Sequence, residues 1–114
     1  MKKIFMKIKA FFILRRADKE LRTIIKKADQ LHRIHNKRFY VIPNSKHELI
    51  VLSWSQIKQM RKQKIFSTHA DEKAFISESF YYTPNRFGDR LSTKKINAKR
   101  KAWLNYVAQV KGLL

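Results

Sequence analysis

The stretch Arg38–Trp54 constrains the fold of this chain more than any other segment. It holds two short apolar runs, Phe39–Ile42 and Leu49–Leu52, on either side of a polar loop that contains Pro43 and Asn44. β-Branched, aromatic and aliphatic runs that flank such a loop predict a β-hairpin. Both runs are apolar at consecutive positions, so neither strand has a polar face for solvent. Because a two-stranded ribbon alone is only marginally stable in water, we expect helices to cover it.

The segment before the hairpin, from Met1 to about Lys37, has the pattern of one long amphipathic helix. Neither glycine nor proline interrupts it. At about 100° per residue, many of its apolar residues fall within one arc, which predicts a core-facing stripe. The stripe is Met6, Ala10, Ile13, Leu14, Ala17, Leu21, Ile24, Ile25, Ala28, Leu31, His32 and His35.

The first turns of this helix carry a second apolar arc on the opposite face. Later turns fill the same face with Lys19, Arg22, Lys26, Gln30 and Arg33. A large exposed apolar patch marks an interaction site, so we expect residues 1–16 to protrude and dock on a second chain, another protein or, less favourably, a membrane surface. In the alternative, the helix breaks near Arg15–Arg16 and both faces pack within one protein. The arc is Ile4, Phe5, Ile8, Phe11 and Phe12.

The basic residues near the start argue against a signal peptide or a membrane span. Lys7 and Lys9 interrupt the apolar run, and Arg15 and Arg16 stand where a signal peptide has small residues. A transmembrane helix needs about 20 apolar residues. The absence of cysteine fits a reducing compartment. We therefore expect a cytoplasmic protein.

Two helices are predicted directly after the hairpin. Ser53 with Gln56 has the form of a capping box, which predicts a helix over residues 54–63. Thr68 with Asp71 predicts the start of another helix that runs to about residue 80. A third strand over residues 74–81 is the alternative.

A loop over residues 81–89 precedes the last predicted helix. Ser92 or Thr93 caps this helix, which extends to about Lys111 and stops before Gly112. Its apolar stripe is Ile96, Trp103, Val107, Val110 and Leu114. Arg100 lies inside that stripe, which predicts either a stem that lies along the apolar surface with its charge in solvent or a buried carboxylate partner such as Glu78. The 114 residues thus predict a single small α+β domain with a long N-terminal helix, a two-stranded hairpin and three further helices.

The charge of the chain is its main indication of function. It has 27 Lys and Arg against 8 Asp and Glu, a net charge of +19. The excess is concentrated in residues 1–40 and 85–114, while residues 41–84 are nearly balanced. A highly charged, solvated surface is one interpretation. We favour an anionic partner, because a net charge of this size repels itself unless something offsets it.

No catalytic motif is found in the sequence, so we expect a non-enzymatic protein without a cofactor. A cysteine nucleophile is absent, and so are a glycine-rich phosphate loop and a nucleophile-elbow serine. His32 and His35 have a spacing that can bind a metal, but no further ligands follow at a recognisable spacing, so we interpret them as core-edge residues. A helix-turn-helix fails as well, because its second helix holds Asp71, Glu72 and Glu78 against one lysine.

The end of the chain carries the predicted nucleic-acid site. Phosphate contacts need no sequence motif and supply most non-specific affinity for DNA or RNA. Tyr81, Tyr82 and Phe87 lie nearby, and aromatic side chains among basic ones suit stacking with single-stranded bases, although such aromatics are more often core. A structural or assembly protein that docks through its N-terminal helix is the alternative function. The predicted contact residues are Arg86, Arg90, Lys94, Lys95, Lys99 and Lys101.

Two segments resemble short, basic, uncharacterised proteins that tailed bacteriophages encode. One is Glu78–Pro84 followed by the basic helix with Arg100 and Trp103. The other runs from Ala28–His32 to Tyr40–Pro43. The resemblance implies a phage or mobile-element origin, and hence the cytoplasm of a host cell. It implies no activity and no site.

Overall fold

The chain forms four α-helices and a three-stranded antiparallel sheet within residues 2–62, 72–84 and 90–113, which the computed structural model describes, with side chains from Ile8 onward except Arg61. The predicted α+β class is confirmed. The helices are α1 (Lys2–His35), α2 (Trp54–Lys62), α3 (Glu72–Glu78) and α4 (Thr93–Val110), and the strands are β1 (Phe39–Pro43), β2 (Leu49–Ser53) and β3 (Tyr81–Tyr82).

The hairpin is the centre of the fold, as its apolar pattern predicts. The strand order is β2-β1-β3, so β1 is the central strand, with Tyr40 opposite both Leu52 and Tyr82. Every residue of Phe39–Ile42 is buried. Helices α1 and α3 contact β1, and α1 and α2 contact β2. The expectation that helices cover this ribbon is therefore confirmed.

Asn44 builds the turn of the hairpin. Its side-chain Oδ1 accepts hydrogen bonds from the backbone N–H groups of Lys46 and Glu48, at 2.9 and 3.0 Å. Its backbone N–H donates to the carbonyl of Glu48 at 2.8 Å. Asparagine is favoured in turns because its short side chain satisfies nearby backbone groups in this way.

Helix α1 is continuous over its 34 residues, which at about 1.5 Å per residue is a length of about 51 Å. It runs unbroken through Arg15–Arg16, so the alternative of a break there is wrong. The helix ends two residues before the predicted Lys37, because Asn36 adopts a left-handed conformation with φ 51°. Asparagine tolerates this conformation better than most residues and stops a helix there.

The third strand differs from the predicted loop. Tyr81 and Tyr82 pair with β1, and the flanking backbone continues the ladder from Phe80 N to Val41 O (2.9 Å) and from Thr83 N to Phe39 O (3.0 Å). Two residues are too short to show the alternation that identifies a strand. Helix α3 ends at Glu78, two residues before its predicted end near residue 80, and its predicted cap at Thr68 and Asp71 lies outside the described residues.

Two predicted helix caps are confirmed. Ser53 and Gln56 form the reciprocal bonds of a capping box at the start of α2, at 2.8 and 3.4 Å. Ser92 is the N-cap of α4, and its hydroxyl accepts a bond from Lys95 N at 3.2 Å. These three bonds satisfy backbone amides at the helix starts that have no partner within the helix.

Trp103 fixes α4 against α1. The side chain is fully buried, and its indole Nε1–H donates to the backbone carbonyl of Ala17 at 2.9 Å. Its ring packs edge-on against Phe80, with centroids 5.1 Å apart, and stacks on Tyr106. Since a buried indole N–H needs an acceptor, this single residue sets the contact between the two helices that carry most of the basic side chains.

Candidate functional site

The three carboxylates of the first forty residues are all occupied by partners within the protein. Asp18 pairs with Arg22 at 3.0 Å and with Arg100 of α4. Glu20 accepts a bond from Leu49 N at 3.1 Å, and Asp29 accepts one from the Tyr81 hydroxyl at 2.6 Å. All three side chains are half-buried. Their negative charge is therefore compensated by donors of the protein itself.

The basic side chains of α1 from Lys9 onward, in contrast, are exposed to solvent. Five of them follow one face of the helix for about 27 Å, at about 1.5 Å per residue. We call this row the α1 ridge. Within it Arg22 is the one that also pairs with Asp18, and its side chain remains 69% exposed. The α1 ridge consists of Arg15, Lys19, Arg22, Lys26 and Arg33.

Asp18, and not the predicted Glu78, is the partner of Arg100. The guanidinium Nε of Arg100 donates to Asp18 Oδ1 across the contact between α4 and α1. This bond, more than any other influence, holds the pKa of the Asp18 carboxyl below its ordinary value. The sequence did not indicate this partner because Asp18 lies 82 residues away along the chain, and only the packing of α4 against α1 brings the two together.

The predicted contact residues of the last helix lie around its start. Arg90, Lys94, Lys95 and Lys101 are exposed. Lys94 and Lys101 are seven residues apart, so they lie on the same side of α4, about 10 Å apart along its axis. Arg86 lies outside the described residues. The structure thus leaves four of the six predicted side chains accessible.

Lys99 is bound within the protein. Its ammonium group donates to three carbonyl oxygens at the end of α3, those of Ile76 (2.9 Å), Ser77 (3.2 Å) and Ser79 (2.6 Å). Burial, and next the charge of Lys95, lower the pKa of Lys99. Because a lysine has three N–H donors and all three are used here, Lys99 has no donor left for a phosphate.

The tyrosines near the predicted site are core residues. Tyr81 and Tyr82 are buried, and the Tyr81 hydroxyl is bonded to Asp29. Arg38 lies over the Tyr82 ring at 4.8 Å and Lys99 at 5.5 Å. Both tyrosines are therefore core residues, as such aromatics more often are, and their burial leaves little ring surface for stacking with a nucleic-acid base. Phe87 lies outside the described residues.

The described part of the predicted docking patch is exposed. Ile8, Phe11 and Phe12 are 50%, 58% and 61% exposed. The two phenyl rings meet edge-on, with centroids 5.7 Å apart. The side chains of Ile4 and Phe5 lie outside the described part of the structure.

An open depression joins this patch to the α1 ridge. Its volume is about 650 Å³. One aromatic ring and four basic side chains surround a single carboxylate, Asp18, which is already paired. The docking patch and the basic face are adjacent in the helical pattern of the sequence, but a joint site was not among the predictions. The lining residues are Phe12, Arg15, Arg16, Asp18, Lys19 and Arg22.

The histidine pair on α1 serves the end of the helix. His32 is half-buried, with its Nδ1 2.9 Å from the Lys37 carbonyl, and His35 packs against the Phe39 ring. Among the described side chains, no group of three or more His, Asp or Glu residues is arranged to hold a metal ion. No helix in the described ranges is long and apolar enough to cross a membrane.

No protein-family model, curated protein or solved structure matches this chain.

Proposed function

We propose that this chain is a non-enzymatic protein that binds DNA or RNA without sequence preference, mainly through phosphate contacts. The observation that carries the proposal is the separation of charge on α1. Its acids bond to internal groups, while its basic side chains remain exposed along about 27 Å. Duplex DNA carries one negative charge per about 1.7 Å of its axis, so a row of cations of this length faces many phosphates.

The first half of α4 and the residues just before it are the second part of the proposed interface. Arg90 precedes the helix, Lys94 and Lys95 stand in its first turn, and Lys101 lies near its middle; all four are exposed. The helix dipole disfavours cations in the first turn. A bound anion relieves that repulsion. The resemblance to phage-encoded proteins extends the proposal to an accessory role for a phage or mobile element in a host cell.

The test is fluorescence anisotropy with generic oligonucleotides as the salt concentration rises. Replacing Arg15, Lys19 and Lys26 with Gln removes three cations of the α1 ridge. The slope of log K against log salt is negative, and each lost phosphate contact reduces its magnitude by about 0.9 on duplex DNA. We therefore expect a slope smaller by roughly 2 to 3, with similar losses on every sequence.

A matched control separates a local site from net charge. Lys46, Lys58 and Lys62 are exposed on the hairpin turn and on α2, and their replacement with Gln changes the net charge by the same amount. We expect this triple variant to bind almost as the parent does. Equal losses in both variants contradict a local site, and an unaltered affinity in the α1 variant moves the contacts to Lys94, Lys95 and Lys101. No binding at about 50 mM salt ends the proposal altogether.

Docking on a partner is the second candidate function, and the exposure of Ile8, Phe11 and Phe12 favours it. Replacing the three with Ser removes the apolar patch while leaving the described core untouched. If docking is correct, self-association or liposome binding disappears, as sedimentation and flotation measure, and the melting temperature stays nearly constant. A variant that unfolds contradicts the docking hypothesis, because the patch is then part of the core.

A further inference from the structure

We propose that the depression on α1 binds single-stranded nucleic acid, with Phe12 and Phe11 as the stacking surface for unpaired bases and Arg15 and Lys19 as phosphate contacts. This inference rests on the proposed function and names its ligand class. It also assigns a ligand to the exposed rings, namely single-stranded nucleic acid, whose negative charge complements the basic side chains beside them.

Phe12 presents an exposed aromatic ring beside the basic side chains of the depression. Its side chain is 61% exposed and lines the depression together with the basic side chains. Arg15 follows it by three residues and Lys19 by seven, which places them about 4.5 and 10 Å further along the helix axis. Residues with these offsets share one helix face. A base on the ring therefore has its neighbouring phosphates beside cations.

Asp18 is already paired with cations of the protein. Among the residues that the structure describes, it is the one carboxylate that lines the depression, and it would repel a phosphate if it were free. Its two oxygens are instead paired with Arg22 and Arg100. Arg100 of helix α4 thus compensates the negative charge of Asp18. The four basic residues that line the depression therefore face solvent with little opposing charge.

The chemistry of stacking decides between single and double strands. Every base has a π-face, so an exposed phenyl ring accepts any unpaired base without sequence preference. In a duplex these faces are covered by neighbouring base pairs, so the phenyl rings have no face to stack on, while the basic side chains can still contact the phosphates. A protein or membrane partner would use the same rings only as apolar surface. This difference makes the proposal testable.

The experiment compares three probes and two variants by fluorescence anisotropy. The probes are an oligo-dT strand, an abasic strand of equal length, and a duplex. Replacing both Phe11 and Phe12 with Leu keeps the surface apolar but removes the aromatic faces. Base–aromatic stacking corresponds to roughly 5- to 150-fold in affinity per base. We expect at least about fivefold weaker binding to oligo-dT, and less than about a twofold change on the abasic strand and the duplex.

Ile34 provides the control. It is 65% exposed near the other end of α1, so Ile34→Ser removes exposed apolar area outside the depression. We expect this variant to bind all three probes as the parent does. Circular dichroism confirms that each variant keeps its helix content.

The outcomes separate this inference from the function on which it rests. Equal affinity of the Leu variant and the parent for oligo-dT overturns the stacking proposal, while phosphate binding by the α1 ridge stands. If no probe binds at low salt, the proposed function itself fails. If the Leu variant still self-associates or binds liposomes and its binding to oligo-dT is unaltered, the rings serve as an apolar docking surface, which also overturns the proposal.

Discussion

Arg100 and Asp18 lie 82 residues apart in the sequence, and the guanidinium of the first bonds to the carboxylate of the second. The pair links α4 to α1. One turn further along α4, Trp103 makes a second link between the two helices through its bond to the Ala17 carbonyl. Asp18 is largely shielded, with 15% of its side chain exposed, whereas Arg100 is 45% exposed. The pair therefore contributes to the helix contact and also removes negative charge from the basic face.

Asp18 should make the protein less stable in acid. Its folded-state pKa is lowered, first by the bond from Arg100, so its contribution is present above the ordinary pKa of 3.8 and is lost as pH falls through the lower folded value. We expect Asp18→Asn to cost on the order of 1 kcal/mol at neutral pH and to flatten the loss of stability below about pH 4. Urea unfolding as a function of pH measures both effects.

Glu48→Gln is the control for this variant, because Glu48 is an exposed carboxylate on the hairpin turn. The control should follow the parent curve. A parallel acid response of Asp18→Asn and the parent would mean that another carboxylate carries the pH dependence.

Lys99 should be more important for stability than any exposed lysine of α4. Lys99→Met keeps the stem but leaves the carbonyls of Ile76, Ser77 and Ser79 without their ammonium donor. A buried acceptor left without a donor costs about 1–3 kcal/mol; because the bonds to Ile76 and Ser79 are part-buried and the bond to Ser77 is exposed, we expect a loss of about 1 kcal/mol. Lys101→Met, at an exposed position of the same helix, should change stability by less than about 0.5 kcal/mol. Equal unfolding midpoints in urea for the two variants would contradict this role of Lys99.

Thr83 holds β1 through its hydroxyl. The side chain is fully buried, and its Oγ1 accepts a bond from Phe39 N at 2.8 Å. Thr83→Val keeps the shape but leaves this amide unbonded, so we expect a loss of about 1–3 kcal/mol. Thr83→Ser retains the hydroxyl and should lose less. A Ser variant that is less stable than the Val variant would show that the methyl group, and not the bond, is what matters.

Tyr40 and Tyr81 should resist ionisation until the protein unfolds. Burial raises the pKa of both phenols above 10.0, and the bonds to Glu72 (2.7 Å) and Asp29 (2.6 Å) add to it. Their stabilising contribution is therefore full below the ordinary pKa and is lost as pH rises through the folded-state values. In an alkaline titration followed by tyrosinate absorbance, we expect a late component that coincides with loss of helix signal. Tyr40→Phe and Tyr81→Phe should each reduce that component.

The sequence predicts the local elements well and the long-range polar contacts poorly. The helix stripe of α1, the hairpin runs and the caps at Ser53 and Ser92 all follow from rules that act within a few residues. The partner of Arg100 and the bonds of Lys99 depend on how α4 packs against α1 and α3, which no local pattern encodes. The same holds for the candidate site. The basic residues are evident from the sequence. Whether nearby acids compensate their charge depends on which acids bond to groups inside the fold.

The acid at the centre of that arrangement gives the last prediction. Asp18 lines the depression on α1 and pairs with Arg22 and Arg100. Asp18→Asn removes one negative charge and releases two guanidinium groups, so it should raise the affinity for nucleic acid up to about fivefold at low salt, even as it lowers stability. Glu48→Gln makes the same change in net charge on the hairpin turn and should leave the affinity nearly constant. Anisotropy titrations at two salt concentrations distinguish the variants. If Asp18→Asn and Glu48→Gln bind equally, the phosphates do not approach the depression, and the start of α4 becomes the place to look.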